Sequence, residues 1–216
     1  LKAGLRYEYS TSQLGTETIK NILDKKYGKL FPTFYISHKL NDNHSFNFSY
    51  SRRITRPAYT QLAPFIIFLD PKTFISGNTA LQPAISDAIK VDYMFKKIIF
   101  SASYTYESKT ISRFQSEVNT STNVQTTTPQ NMNNSQLFYV SASLPVKITQ
   151  WWSSQLNMAV NWNKLSYNYK NEKQEASNFY YTFSGSQSFT LPKKFSAELS
   201  GFFQSRSFIF GGSKIK

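Results

Sequence analysis

The sequence predicts an all-β fold: an antiparallel up-and-down transmembrane β-barrel segment, about nine strands of a larger barrel. Three observations carry this reading: a two-residue alternation of apolar and polar side chains, connections that alternate long and short, and two tryptophans spaced at the height of a bilayer. In the first ten residues Leu1, Ala3, Leu5, Tyr7 and Tyr9 alternate with Lys2, Gly4, Arg6, Glu8 and Ser10. The alternation returns in His44-Ser45-Phe46-Asn47-Phe48-Ser49-Tyr50-Ser51 and in residues 98–107. Successive side chains of a strand point to opposite faces, so each run is a ribbon with one apolar and one polar side.

Taken in order, the strands fall near 1–11, 29–40, 44–54, 87–95, 98–109, 135–145, 152–163, 179–191 and 195–205. The connections near 12–28, 55–86, 110–134 and 164–178 are long and rich in Asn, Thr, Ser, Lys or Pro, whereas those near 41–43, 96–97, 146–151 and 192–194 are short. Loops beyond about 12 to 15 residues are uncommon inside compact soluble domains. Long and short connections in alternation are what a membrane barrel makes with its external loops and periplasmic turns, so the first strand runs outward. Trp152 and Trp162 share one face of a strand, with Leu156, Met158 and Val160 between them. Ten residues at roughly 3.3 Å each, tilted by about 40°, project to roughly 25 Å, the height of a lipid-facing band between two aromatic girdles. Trp151, Trp152 and Trp162 are the expected girdle residues.

Composition narrows the class. No stretch approaches the roughly 18 apolar residues of a helical span. The mean hydropathy of −0.43 is compatible with strands that average apolar and polar faces. The chain carries 19 Phe, 14 Tyr and no Cys; aromatics favour strands, and absent cysteine fits an exported protein. The net charge of +13 raises nucleic-acid binding, but the basic residues sit at strand ends, as at Lys39, Lys96, Lys97, Lys147, Lys193 and Lys194, and form no stripe. Solvated rims facing anionic headgroups are the favoured reading, with no nucleic-acid partner. No catalytic constellation is visible: His38 and His44 are the only histidines, His44 is read as a turn residue, and the 12 carboxylates are scattered. The chain is expected to be neither an enzyme nor a holder of a cofactor or metal.

The third connection is the most specific. It runs Ser49-Tyr50-Ser51-Arg52-Arg53-Ile54-Thr55-Arg56-Pro57-Ala58-Tyr59-Thr60-Gln61-Leu62-Ala63-Pro64-Phe65, then Leu69-Asp70-Pro71-Lys72-Thr73, then Ser76-Gly77-Asn78-Thr79-Ala80-Leu81-Gln82-Pro83. This block closely resembles the signature of the outer-membrane β-barrel family of TonB-dependent receptors of Bacteroidetes-type bacteria, approximately S-x-R-I-x-R-P-x-Y-x-x-L-x-P-F, D-P and G-N-P-x-L-x-P. Thr79 and Ala80 depart from it where proline is usual. Gly4-Leu5-Arg6-Tyr7-Glu8, Phe31-Pro32-Thr33 and Leu144-Pro145 before Trp151-Trp152 are supporting matches.

Read on their own residues, Pro57, Pro64, Pro71 and Pro83 fix φ and withhold amide donors, which predicts a folded, rigid loop. Gly77-Asn78 can supply positive φ for a tight turn. The apolar run 65–69 is either a small satellite core packing the loop against the barrel or a lip that contacts ligand. Arg52, Arg53 and Arg56 are either ion-paired anchors of the loop base or clamps for an anionic substrate, with anchors favoured.

The resemblance implies energised import of a scarce small nutrient, a plug domain inside the barrel, and an inner-membrane TonB-type protein that pulls on the plug. On this reading residues 1–216 are part of the barrel domain, in outer-membrane lipid, and the plug and remaining strands lie elsewhere in the parent chain. A β-sandwich or adhesin-like surface protein that binds through its loops is the alternative.

Overall fold

Because each strand has a wet and an apolar face, what matters is how the faces line up between neighbours. The computed structural model describes residues 1–15, 22–119, 121–169, 172–209 and 213–215. Nine strands form one antiparallel sheet: β1 (Lys2–Leu14), β2 (Leu23–Asn41), β3 (His44–Thr55), β6 (Ala84–Phe95), β7 (Ile98–Ser108), β10 (Asn134–Lys147), β11 (Trp152–Tyr169), β12 (Glu172–Thr190) and β13 (Ser196–Gln204). They pair in that order, each with its sequence neighbour in the sheet. Among the described residues β1 and β13 do not pair, so the sheet is open.

Direct cross-strand partners share a face, and the register sets mostly apolar residues beside apolar ones and mostly small or polar residues beside polar ones, with Leu137 an apolar member of the second row. One row runs Ala3, Phe34, Tyr50, Ile89, Tyr104, Phe138, Trp162, Phe179 across eight strands. The next row, one residue along, runs Gly4, Thr33, Ser51, Ala88, Thr105, Leu137, Asn163, Asn178. A slip of one residue in any pair would exchange the faces. The polar face knits itself together: Ser143 Oγ donates to Asn157 Oδ1 at 2.9 Å, and Gln155 Nε2 donates to Ser143 Oγ at 2.9 Å.

Among the described residues no second sheet covers the apolar face. Met158 is 48% exposed, and Leu5, Tyr7, Phe100, Phe179 and Leu199 are exposed as well. A sandwich would bury Met158 together with Trp152 and Trp162 between sheets, so the sandwich expectation is overturned. The buried apolar residues, Phe31, Ala63, Leu81, Ala84, Ile85 and Met132, belong instead to the end of the sheet that carries the long connections.

Those connections differ from the loops expected of them. Of the ranges 12–28 and 164–178, residues 12–14, 23–28, 164–169 and 172–178 are strand, because β1 and β2 stay paired to Leu14 and Leu23, and β11 and β12 to Tyr169 and Glu172. The outer part of the β11–β12 ladder is held by charged side chains: Lys164 Nζ lies 2.7 Å from Glu175 Oε2, and Lys173 Nζ lies 3.1 Å from Glu175 Oε1. Backbone pairing continues there without the apolar contrast that marks a strand in sequence. The other two long connections form a second, four-stranded sheet in the order β4 (Ile66–Asp70), β5 (Thr73–Ser76), β9 (Val124–Asn131), β8 (Ile111–Asn119), with β5 parallel to β9. A single helical turn, α1 (Tyr59–Leu62), precedes β4, and a short ladder of β14 (Ser207–Ile209) with β15 (Ser213–Ile215) follows β13.

The short connections are tight. Lys96, Lys193 and Lys194 take positive φ, and Lys39 Nζ donates to Asp42 Oδ1 at 2.7 Å. His44 is not a turn residue. It opens β3, with Nδ1 at 2.6 Å from the Tyr93 hydroxyl and its ring 4.7 Å from that of Phe95.

The two-faced register generates a direct test. Val160→Arg in the full-length protein is expected to cost about 2 to 4 kcal/mol of folding stability if that site lies near the bilayer midplane, while Asn161→Arg costs little. Urea unfolding in lipid vesicles measures both, and equal costs would refute the assignment of faces.

Candidate functional site

The signature segment closes over the long-connection end of the sheet, and its three arginines part company. Arg52 and Arg53 are neighbours on a strand and so point to opposite faces. Arg52 lies on the apolar face, with Nε 3.7 Å from Asp87 Oδ1, which also accepts a 2.7 Å hydrogen bond from the Tyr50 hydroxyl. Arg53 lies on the polar face and makes no ion pair among the described residues. Arg56 leaves the end of β3 and reaches back to β1. Its guanidinium pairs with Glu8, and its Nη2 and Nε donate to Ser10 Oγ at 2.9 and 3.1 Å. Glu8 also takes Arg6 Nη2 at 2.7 Å, and the Arg6 guanidinium sits 5.6 Å above the centre of the Phe31 ring. Arg6, Glu8, Phe31, Arg53 and Arg56 line a cavity of about 740 Å³.

Beyond Arg56 the prolines and two close contacts shape the chain. Pro57 precedes α1, where Gln61 Oε1 accepts from the Ala58 N–H at 2.8 Å. Asp70-Pro71 starts the β4–β5 turn, with Asp70 Oδ1 accepting from the Lys72 N–H at 2.7 Å. That backbone donor holds the Asp70 carboxyl below the usual carboxylate range. Gly77 was expected to supply positive φ, but neither it nor Asn78 takes that conformation. Glycine is required at 77 by close approach, since a Cβ there would lie 2.0 Å from the Ala63 carbonyl oxygen.

Asn78 ties three segments together. Its N–H donates to Gln61 O at 2.7 Å, its Nδ2 to Pro129 O at 3.0 Å, and its Oδ1 accepts from the Ala80 N–H at 2.8 Å. Leu81 is 1% exposed, and Pro83 leads into β6. The satellite core expected of residues 65–69 is therefore built from other residues. Phe65, Ile66, Ile67, Phe68 and Leu69 are all exposed, as is Tyr59, whose ring meets Phe65 edge-on at 6.4 Å. Pro64 is exposed beside them.

Several residues that anchor this cap carry no sequence signal of their own. Asn131 accepts from the Gln82 N–H at 2.7 Å and donates to Gln82 O and Lys109 O at 2.8 Å each. Lys25 Nζ donates to the carbonyls of Thr79 and Leu81 at 2.8 and 2.7 Å. At the opposite end of the sheet Trp151, Trp152 and Phe189 stack at 5.9 to 6.2 Å. The Trp152 indole donates to Gln187 Oε1 at 2.8 Å, and Gln187 donates on to Ser154 Oγ at 2.7 Å. Trp162 lies on the same face as Trp152, further along β11.

The profile of the family described as "Outer membrane protein beta-barrel family" matches residues 1–214. No curated protein matches the chain. Among solved structures it is similar to the siderophore receptor PirA from Pseudomonas aeruginosa, at 12% identity over 88% of this chain and 41% of that one, with a TM-score of 0.48. It is also similar to the ferric enterobactin receptor PfeA in complex with BCV-L6, at 10% identity over 96% and 38% of the two chains, TM-score 0.47. PirA from Acinetobacter baumannii shows 13% identity over 84% and 35%, TM-score 0.46. The chain thus spans about two-fifths or less of the length of these receptors.

The cap's two clasps can be opened separately. Gly77→Ala places a methyl group against the Ala63 carbonyl, and Asn131→Ala leaves the Gln82 and Lys109 backbone groups without their partner. Each is expected to destabilise the cap by about 1 to 3 kcal/mol while leaving the strands paired. Limited proteolysis should show faster cleavage within residues 59–83, with the main sheet protected. Cleavage at the wild-type rate would contradict these clasps.

Proposed function

This chain belongs to the outer membrane protein beta-barrel family, and on that premise we propose that it forms part of the wall of a TonB-dependent receptor importing a scarce nutrient by energised uptake. It is an outer-membrane protein whose apolar face meets lipid. The reading rests on one observation above the rest: the signature segment, residues 52–83, folds as a cap braced against the polar face of β1 through Arg56 and Glu8. A cap so braced reaches over the enclosed side of the wall, where a captured solute would pass.

In this reading Arg52 and Arg56 are anchors, fixed by Asp87 and Glu8. Arg53, together with the exposed lip of Tyr59, Pro64 and Phe65, is the part free to meet a ligand. Asp70, Pro71, Gly77, Asn78, Leu81 and Pro83 hold the cap's shape, with Pro57 starting it. Trp151, Trp152 and Trp162 mark the two borders of the lipid band. The open edges at β1 and β13 would each expose unpaired backbone groups costing several kcal/mol in hydrocarbon. Further strands and a plug domain of the parent chain complete the barrel, and an inner-membrane coupling protein acts on the plug. The segment's own contribution is wall, cap and ligand contact, without catalysis.

Two measurements test this reading. Deleting the parent gene should slow growth on one limiting nutrient, and inactivating the energy-coupling protein should reproduce that defect; uptake that persists without the coupling protein would contradict energised import. Cysteines at Lys72, Asn123 and Lys173 should label with an impermeant reagent on intact cells, and cysteines at Asp42 and Lys194 should not. Mixed labelling would break the topology.

A further inference from the structure

The pairing of β2 with β3 stops at Thr33 and Ser51. Beyond that point β2 continues against β1 as far as Leu23, and β3 continues against β6 as far as Thr55. Pro32, which has no amide hydrogen to donate, stands next to the last paired residue. The wall therefore splits into two branches, and the facing edges of β2 and β3 lose their ladder partners.

A cleft of about 430 Å³ occupies this split, between residues 24–29 of β2 and the ends of β3, β6 and β7. Lys25 and Lys29 lie on the face of β2 that carries Phe31, and Lys26 lies on the other. Side chains of both faces line one cavity because it opens at a strand edge. Lys109 lines it from the β7 side, and Asp24 is the one carboxylate among the described lining residues. Lys25 is held by two carbonyls, and the Lys109 ammonium donates to the Gln82 side chain. Lys26 and Lys29 are exposed and make no ion pair or hydrogen bond among the described residues.

We infer that this cleft binds a phosphate-bearing anion. Four ammonium groups against one carboxylate set a strong positive potential, and focusing between two walls raises it. Lysine ammonium groups bind phosphate as compact point charges, and the several oxygens of a phosphate can meet several of them at once. The unpartnered strand edge supplies backbone N–H donors to the same ligand. Burial already pulls the Lys25 ammonium below the usual lysine range, and a bound anion would oppose that shift. The site shares Lys25, Gln82 and Pro83 with the base of the cap, but the inference does not rest on the proposed transport role. The phosphate can belong to a lipid headgroup of the surrounding leaflet or to a free solute.

The test uses the full-length parent protein. One arm titrates inorganic phosphate by calorimetry. The other measures retention of phosphatidylglycerol against phosphatidylcholine by native mass spectrometry after extraction from mixed vesicles. K26Q/K29Q should weaken binding at least tenfold in whichever arm responds, K26R/K29R should retain it, and K147Q/K194Q at the opposite end should leave it unchanged. A response to phosphatidylglycerol alone identifies a membrane lipid as the source, and a response to phosphate identifies a soluble one; either supports the site. Wild-type protein that takes up neither probe overturns the proposal without reference to any variant, and so does K26Q/K29Q binding at the wild-type level.

Discussion

Hydrocarbon offers no partner to a backbone N–H or C=O, and every other property of this sheet depends on that constraint. It forces each strand to pair with its neighbours over the full width of the bilayer. Once paired, the strands share faces, so one row of side chains meets lipid and the next meets water. The row from Ala3 to Phe179 and the row from Gly4 to Asn178 express this across eight strands. An ordinary globular core is not required, which explains why so many aromatic and aliphatic side chains remain exposed and why the few buried ones gather at one end.

Where the constraint relaxes, the architecture changes. Beyond the apolar rows β2 and β3 separate at Pro32, the hairpins continue with lysines, glutamate and asparagine, and two connections combine into a second sheet. The cap is held by backbone contacts made through a few side chains. Asn78 and Asn131 each bond several backbone groups of distant segments, and Lys25 spans two carbonyls. Such contacts fix the cap's shape without a large core. Arg56 and Glu8 then tie that shape to the first strand of the wall.

The wall was legible in the sequence because lipid imposes contrast at every second residue. The nine strands, their order and the short turns follow from that contrast alone. The polar extensions, such as 23–28 and 172–178, escaped because a ladder in water has no apolar face to announce it. Strand parity separates Arg52 from Arg53, yet grouping both with Arg56 as one set of anchors hid that Arg53 alone of the three makes no ion pair among the described residues. Gly77 shows the limit of residue-type reasoning: glycine was expected for its φ, and the structure needs it for the Ala63 carbonyl. Asn131 acts on Gln82 from 49 positions away, so nothing in its own neighbourhood could single it out from the asparagines beside it.

The central claim, that lipid and water lie on opposite sides of a two-residue alternation, is open to direct measurement along β11. Nitroxide labels placed singly at residues 156 to 162 in the full-length protein, reconstituted in a bilayer, report collisions with oxygen and with a water-soluble nickel chelate. Positions 156, 158, 160 and 162 should favour oxygen, with 157, 159 and 161 lower, in a period of two. A flat profile, or oxygen maxima at the odd positions, would contradict the assignment of faces on which the account is built.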